Sequence, residues 1–166
     1  MFIISYLPPN KNNTRVAMSF EERNTISGLL ISLVSWAIMI TTLARNTTAG
    51  FYDGPDGPML WARSVLWLIL ICIGIGIVLT ILFTIAYAIV TGDKRPTTLR
   101  DERDGIIGLR GIQATLITMS IGIVAAIATL AYGLPLLVAL NMILASCALG
   151  DLAGMLVKLV LYRRGF

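Results

Sequence analysis

Apolar residues in this chain fill long, uninterrupted windows; they do not alternate with polar residues. Residues 24–44 carry no charge and lie between Arg23 and Arg45. Residues 64–92 form a second charge-free window, long enough to cross about 30 Å of hydrocarbon and project beyond it. A third window, residues 111–150, is too long for one helix. It breaks at Tyr132-Gly133-Leu134-Pro135, where Gly suits the end of one helix and Pro the opening of the next. The pattern predicts membrane-spanning helices over about 24–44, 61–91, 112–131 and 135–162, each meeting the length criterion. A β-barrel would need short alternating strands, and the sequence has none. The expected fold is an all-α membrane protein with four transmembrane helices.

The placement of Lys and Arg predicts the orientation. Lys11, Arg15 and Arg23 precede the first span, and Lys94, Arg95, Arg100, Arg103 and Arg110 lie in the middle loop. Lys158, Arg163 and Arg164 end the chain, so eleven of the 13 basic residues fall on one side. The other side has Arg45 and Arg63, and the turn at 132–135 has no charge. Both termini are therefore expected in the cytoplasm. Residues 1–18 read as a flexible arm: Phe2-Ile3-Ile4 is too short for a signal-peptide core, and Pro8-Pro9-Asn10-Lys11-Asn12-Asn13 is polar and turn-rich. Met18 is as plausible a natural start as Met1. Across the membrane, Phe51 to Pro58 reads as a double turn with aromatic neighbours suited to the interface.

An internal repeat adds organisation. Glu21-Glu22-Arg23-Asn24-Thr25-Ile26-Ser27-Gly28 aligns with Asp101-Glu102-Arg103-Asp104-Gly105-Ile106-Ile107-Gly108 at a constant offset. Each copy opens a two-span unit, which divides the chain into helical hairpins over 19–96 and 97–166. Boxes on the same side imply parallel repeats, related by a pseudo-two-fold axis along the membrane normal. Ser19 and Thr98 stand where capping boxes would begin the helices, and first-turn acids meet the positive end of the helix dipole. Caps and headgroup anchors account for acids and arginines near a helix start. They do not account for the same order of residues occurring twice. These paired boxes resemble those of a group of small, uncharacterised prokaryotic four-span membrane proteins. The second box, Asp101-Glu102-Arg103-Asp104 followed by Ile106-Ile107, carries the likeness, whereas the first departs from it at Glu21 and Asn24. The resemblance covers about residues 19–130 and implies a prokaryotic cytoplasmic (inner) membrane. It also implies capture of a small helix-turn-helix regulator, and it supplies no catalytic residue.

Within the spans, Asp151 is the only acid, slightly past the middle of the fourth helix. A carboxylate at that depth is costly unless paired, protonated or hydrated, which makes it a functional candidate. Lys158, seven residues on, is too far for direct pairing, and Arg110 is the alternative partner. Asn141 reads as an interhelical hydrogen-bonding residue. Ser146, Gly150 and Gly154 form a small-residue ridge that permits close helix approach. Thr115, Thr118, Gly122, Ala125 and Thr129 form a comparable stripe on the third helix; the two could meet within one chain or line a homodimer seam. Gly74 and Gly76 offer a bend in the second span.

Composition removes several function classes. Hydrophobic residues make up 57% and charged residues 13%, against about 25% charged in an ordinary soluble domain, so a soluble globule and direct nucleic-acid binding are excluded. With no histidine, no nucleophile elbow, no phosphate loop and no metal-ligand spacing, neither an enzyme nor a cofactor or metal site is expected. Cys72 and Cys147 lie in apolar runs and read as buried thiols. Two classes remain. One is a non-enzymatic membrane protein that docks a cytosolic regulator or a larger membrane complex through Glu21, Glu22, Arg23, Asp101, Glu102, Arg103 and Asp104. The other is a small dimeric ion- or proton-coupled transporter or channel using Asp151.

Overall fold

The computed structural model describes residues 20–91 and 102–164. The arm at 1–18, the cap residues Ser19 and Thr98, and Asp101 lie outside the described residues, as do the side chains of Glu21 and Arg23. The described residues form four helices: α1 (Phe20–Thr48), α2 (Gly57–Thr91), α3 (Glu102–Ala131) and α4 (Leu136–Arg164). All four are long and apolar enough to cross a membrane. At 1.5 Å per residue the shortest, 29 residues, extends roughly 43 Å, more than the hydrocarbon slab alone requires. Buried side chains are few, and large apolar residues such as Leu66, Trp67, Ile121 and Val124 cover the outside. Such a surface is suited to lipid and would aggregate in water.

Two turns fold the chain back on itself in the same way. Gly50 (φ 71°) follows α1 and Gly133 (φ 75°) follows α3. In the first, the Phe51 N–H donates to the Asn46 carbonyl at 3.0 Å and the Gly50 N–H to Thr47 at 3.1 Å. In the second, the Leu134 N–H reaches Thr129 at 3.1 Å and the Gly133 N–H reaches Leu130 at 3.0 Å. This is the paired-bond termination that a left-handed glycine permits, and it satisfies carbonyls the helix end would otherwise leave bare.

Packing between helices is uneven. The pair α3–α4 is the most intimate, α1 packs on both α4 and α2, and α2 touches α4 only lightly. One apolar cluster joins Met39 and Leu43 of α1, Tyr52 of the connector, and Trp61, Val65 and Leu68 of α2, with Leu137, Leu140 and Leu144 of α4 against it. That cluster knits the half of the molecule nearest the two turns. Beyond Gly76, residues 77–89 of α2 are exposed apart from half-buried Leu79. Gly74 and Gly76 do not interrupt α2, which is one continuous helix.

Candidate functional site

The contact surface of α3 and α4 is made by small residues. A Cβ placed on Gly122 would fall 2.0 Å from the Ser146 Cβ, and one on Gly154 would fall 2.1 Å from the Thr115 Oγ1 and 2.9 Å from the Gly111 carbonyl. On Gly150 it would meet the Met119 Cγ at 2.6 Å. Ser146, Gly150 and Gly154 are buried and face α3 of the same chain, and half-buried Gly122 of α3 faces Ser146. Gly111 and Ala126 complete the α3 side, both buried; the hydroxyl pattern drew attention to Thr118, Ala125 and Thr129 instead. Those threonines look after themselves. Thr118 Oγ1 donates to the Ala114 carbonyl at 2.9 Å and Thr129 Oγ1 to Ala126 at 2.7 Å, as hydroxyls in apolar helices commonly do.

Asp151 stands at the middle of this framework, one residue after Gly150, and it is half-buried. Its donors come from α1. The Ser32 hydroxyl donates to the Asp151 Oδ2, and the Trp36 indole Nε1–H donates to the same oxygen at 3.1 Å. Ser32 and Trp36 are four residues apart, hence on one face of α1. The carboxylate is thus met by two neutral donors. The Lys158 stem runs elsewhere, over Gly111, where an added Cβ would lie 2.5 Å from Cε. Neither Ser32 nor Trp36 stood out in the sequence, because α1 has three serines, Ser27, Ser32 and Ser35, and a single Trp carries no pattern. Their spacing alone was available as a signal.

Asn141 makes the second polar bridge between helices: its Oδ1 accepts from the Trp61 Nε1–H of α2 at 3.0 Å. A third bond pins the first connector, where the Asn46 Nδ2 donates to the Tyr52 hydroxyl at 3.0 Å. Tyr52 is 2% exposed and belongs to the apolar cluster, while Phe51 beside it is exposed and meets its ring edge-on at 5.4 Å. The connector is therefore half core and half surface, and not simply an interfacial turn.

At the opposite end, α1 and α3 begin with the charged boxes. Glu102 and Arg103 are exposed, and Asp104 and Glu22 are half-buried. Among the described residues no group of His, Cys, Asp and Glu could hold a metal ion, and Cys72 and Cys147 are free thiols, half-buried and on different helices. Compared with protein-family models, curated proteins and solved structures, the chain matches none.

Proposed function

We propose that this chain is a non-enzymatic, multi-pass protein of a prokaryotic cytoplasmic membrane, with both termini in the cytoplasm, and that it docks a partner through its two charged boxes. The observation that carries this reading is the position of Glu102 and Arg103, exposed at the start of a helix too long for the bilayer. α3 runs 30 residues, about 45 Å, so its first turns stand clear of about 30 Å of hydrocarbon. An exposed Arg offers a planar fork to a partner's carboxylate, and the acids accept from basic groups. The repeat supplies a second, similar box at the start of α1. The partner that suits two boxes related by pseudo-two-fold symmetry is a dimeric cytosolic regulator; a larger membrane complex would use the exposed apolar length of α2 as well.

Asp151 supports a second, weaker reading, a dimeric ion- or proton-coupled transporter or channel. The two α1 donors on Asp151 favour a clasp between helices over a conducting group. The docking reading is tested by affinity capture from native membranes. Wild type is compared with the combined variant Glu22→Ala, Arg23→Ala, Glu102→Ala and Arg103→Ala, with protein level and oligomer size monitored. A cytosolic protein retained by wild type and lost by a well-folded variant is the expected result. Equal capture by both would overturn the reading. For the second reading, flux in reconstituted vesicles that Asp151→Asn abolishes would replace docking with transport.

A further inference from the structure

Between α1 and α4, in the half nearest the turns, lies a cavity of about 440 Å³. That volume is within the roughly 300–1,000 Å³ of ordinary small-ligand sites. Its walls include Ile40 and Ala44 of α1 and Ala145 of α4, all exposed on the molecule's outer surface, so it opens sideways toward lipid. The lining is graded in polarity along the membrane normal. At the deep end sits Trp36, whose indole N–H is already given to Asp151, leaving only the apolar ring to the cavity. Toward the turns the wall carries Asn141, Thr47 and Thr48. From Trp36 to Thr48 the helix rises about 18 Å, close to the roughly 15 Å of one hydrocarbon leaflet.

We infer that this cavity binds one acyl chain of a glycerophospholipid from the leaflet at the carboxyl end of α1. The chain's methyl end lies against Trp36, and its ester and headgroup lie level with Asn141 and Thr48. The polar groups fit that occupant. The Asn141 Oδ1 accepts from Trp61, so its N–H groups are the ones left to donate, and an ester carbonyl is an acceptor. Thr47 and Thr48 give their hydroxyl hydrogens to the Leu43 and Arg45 carbonyls, at 2.8 and 2.9 Å, which leaves oxygen lone pairs for a headgroup hydroxyl or ammonium. Arg45, exposed one turn before Thr48, supplies positive charge near this end of α1. The inference stands independently of the docking reading.

The test is native mass spectrometry of the full chain, released in mild detergent from vesicles of equal parts phosphatidylethanolamine and phosphatidylglycerol. Ala145→Leu and Ala44→Leu fill the cavity from its two walls at positions already exposed, and each is checked for folding by circular dichroism. Ala62→Leu makes the same change at an exposed site on α2 outside the cavity. The expected result is one phospholipid retained per chain by wild type and by Ala62→Leu, and its loss in both cavity-filling variants. No retention by wild type, or equal retention by all four proteins, would overturn the inference. So would a wild-type dimer, free of lipid, that the filling variants convert to monomer, because the occupant would then be a second copy.

Discussion

Gly122 and Gly154 leave no room for a side chain: the nearest atom to an added Cβ is 2.0 Å away at the first and 2.1 Å at the second. In a bilayer this closeness is the means of association, since lipid tails are as apolar as the helices and burial alone gives little driving force. Gly122→Ala or Gly154→Ala is therefore expected to lower stability by about 1–3 kcal/mol, the usual cost of overpacking, as read by detergent-titrated unfolding. Gly74→Ala is the contrasting case. It adds a methyl where nothing lies within 4 Å, in a helix where Gly costs roughly 1 kcal/mol relative to Ala, so it should be neutral or stabilising. If Gly122→Ala and Gly74→Ala proved equally harmless, the α3–α4 contact would be looser than these distances require. The clasp at Asp151 calls for a different measurement. A double-mutant cycle of Asp151→Ala with Trp36→Phe should give a coupling near the average of about 0.6 kcal/mol, and no more than about 1.7 kcal/mol, for polar pairs between membrane helices. Zero coupling would mean that the carboxylate and the indole are neighbours without mutual stabilisation.

At the scale of the elements, the first connector shows how a short turn becomes part of the core. Gly57 lies so close beneath it that a Cβ there would be 2.0 Å from the Tyr52 carbonyl oxygen, and this packing folds the Tyr52 ring inward onto Trp61 and Leu43. Tyr52→Ala should cost about 3–5 kcal/mol, as for other buried aromatics, whereas Phe51→Ala should cost far less in the same unfolding assay. Tyr52→Phe, which removes only the bond to Asn46, should cost about 1 kcal/mol. The four helices and their breaks were legible in the sequence, because charge-free length and a Gly-Leu-Pro turn are strong local signals. The inward ring of Tyr52 was not. Nor were the Ser32 and Trp36 donors to Asp151, or the exposure of α2 beyond Gly76. In a membrane the apolar residue that faces lipid and the one that faces protein are chemically alike, so hydropathy says nothing of which side is which. Small residues give some of it back: they marked Ser146, Gly150 and Gly154 of α4 as a packing face, open between α3 and a second copy, and the structure turns that face to α3.

For the whole molecule, the repeat has one structural echo and one departure. Trp61 and Asn141 occupy equivalent positions in the two halves, separated by the same 80 residues that relate the boxes, and they bond to each other. Contact between equivalent positions is what a two-fold axis between α2 and α4 would produce. Against full symmetry, α1 packs on α4 without an equally strong counterpart between α3 and α2, and α3–α4 is far tighter than α1–α2. The tightest contact, between α3 and α4, lies where small residues are concentrated. All of this places the charged boxes at one end of the molecule and the glycine turns at the other, because helices of this length in a four-span chain must alternate direction. That alternation makes orientation testable with single cysteines. In a background with Cys72→Ala and Cys147→Ala, a membrane-impermeant maleimide added to intact cells should label Asp56→Cys and spare Glu102→Cys, and permeabilised cells should be labelled at both. The reverse pattern would put the boxes outside, end any role in holding a cytosolic partner, and move the acyl-chain cavity to the inner leaflet. Labelling of both in intact cells would mean that the chain does not cross an odd number of times between them.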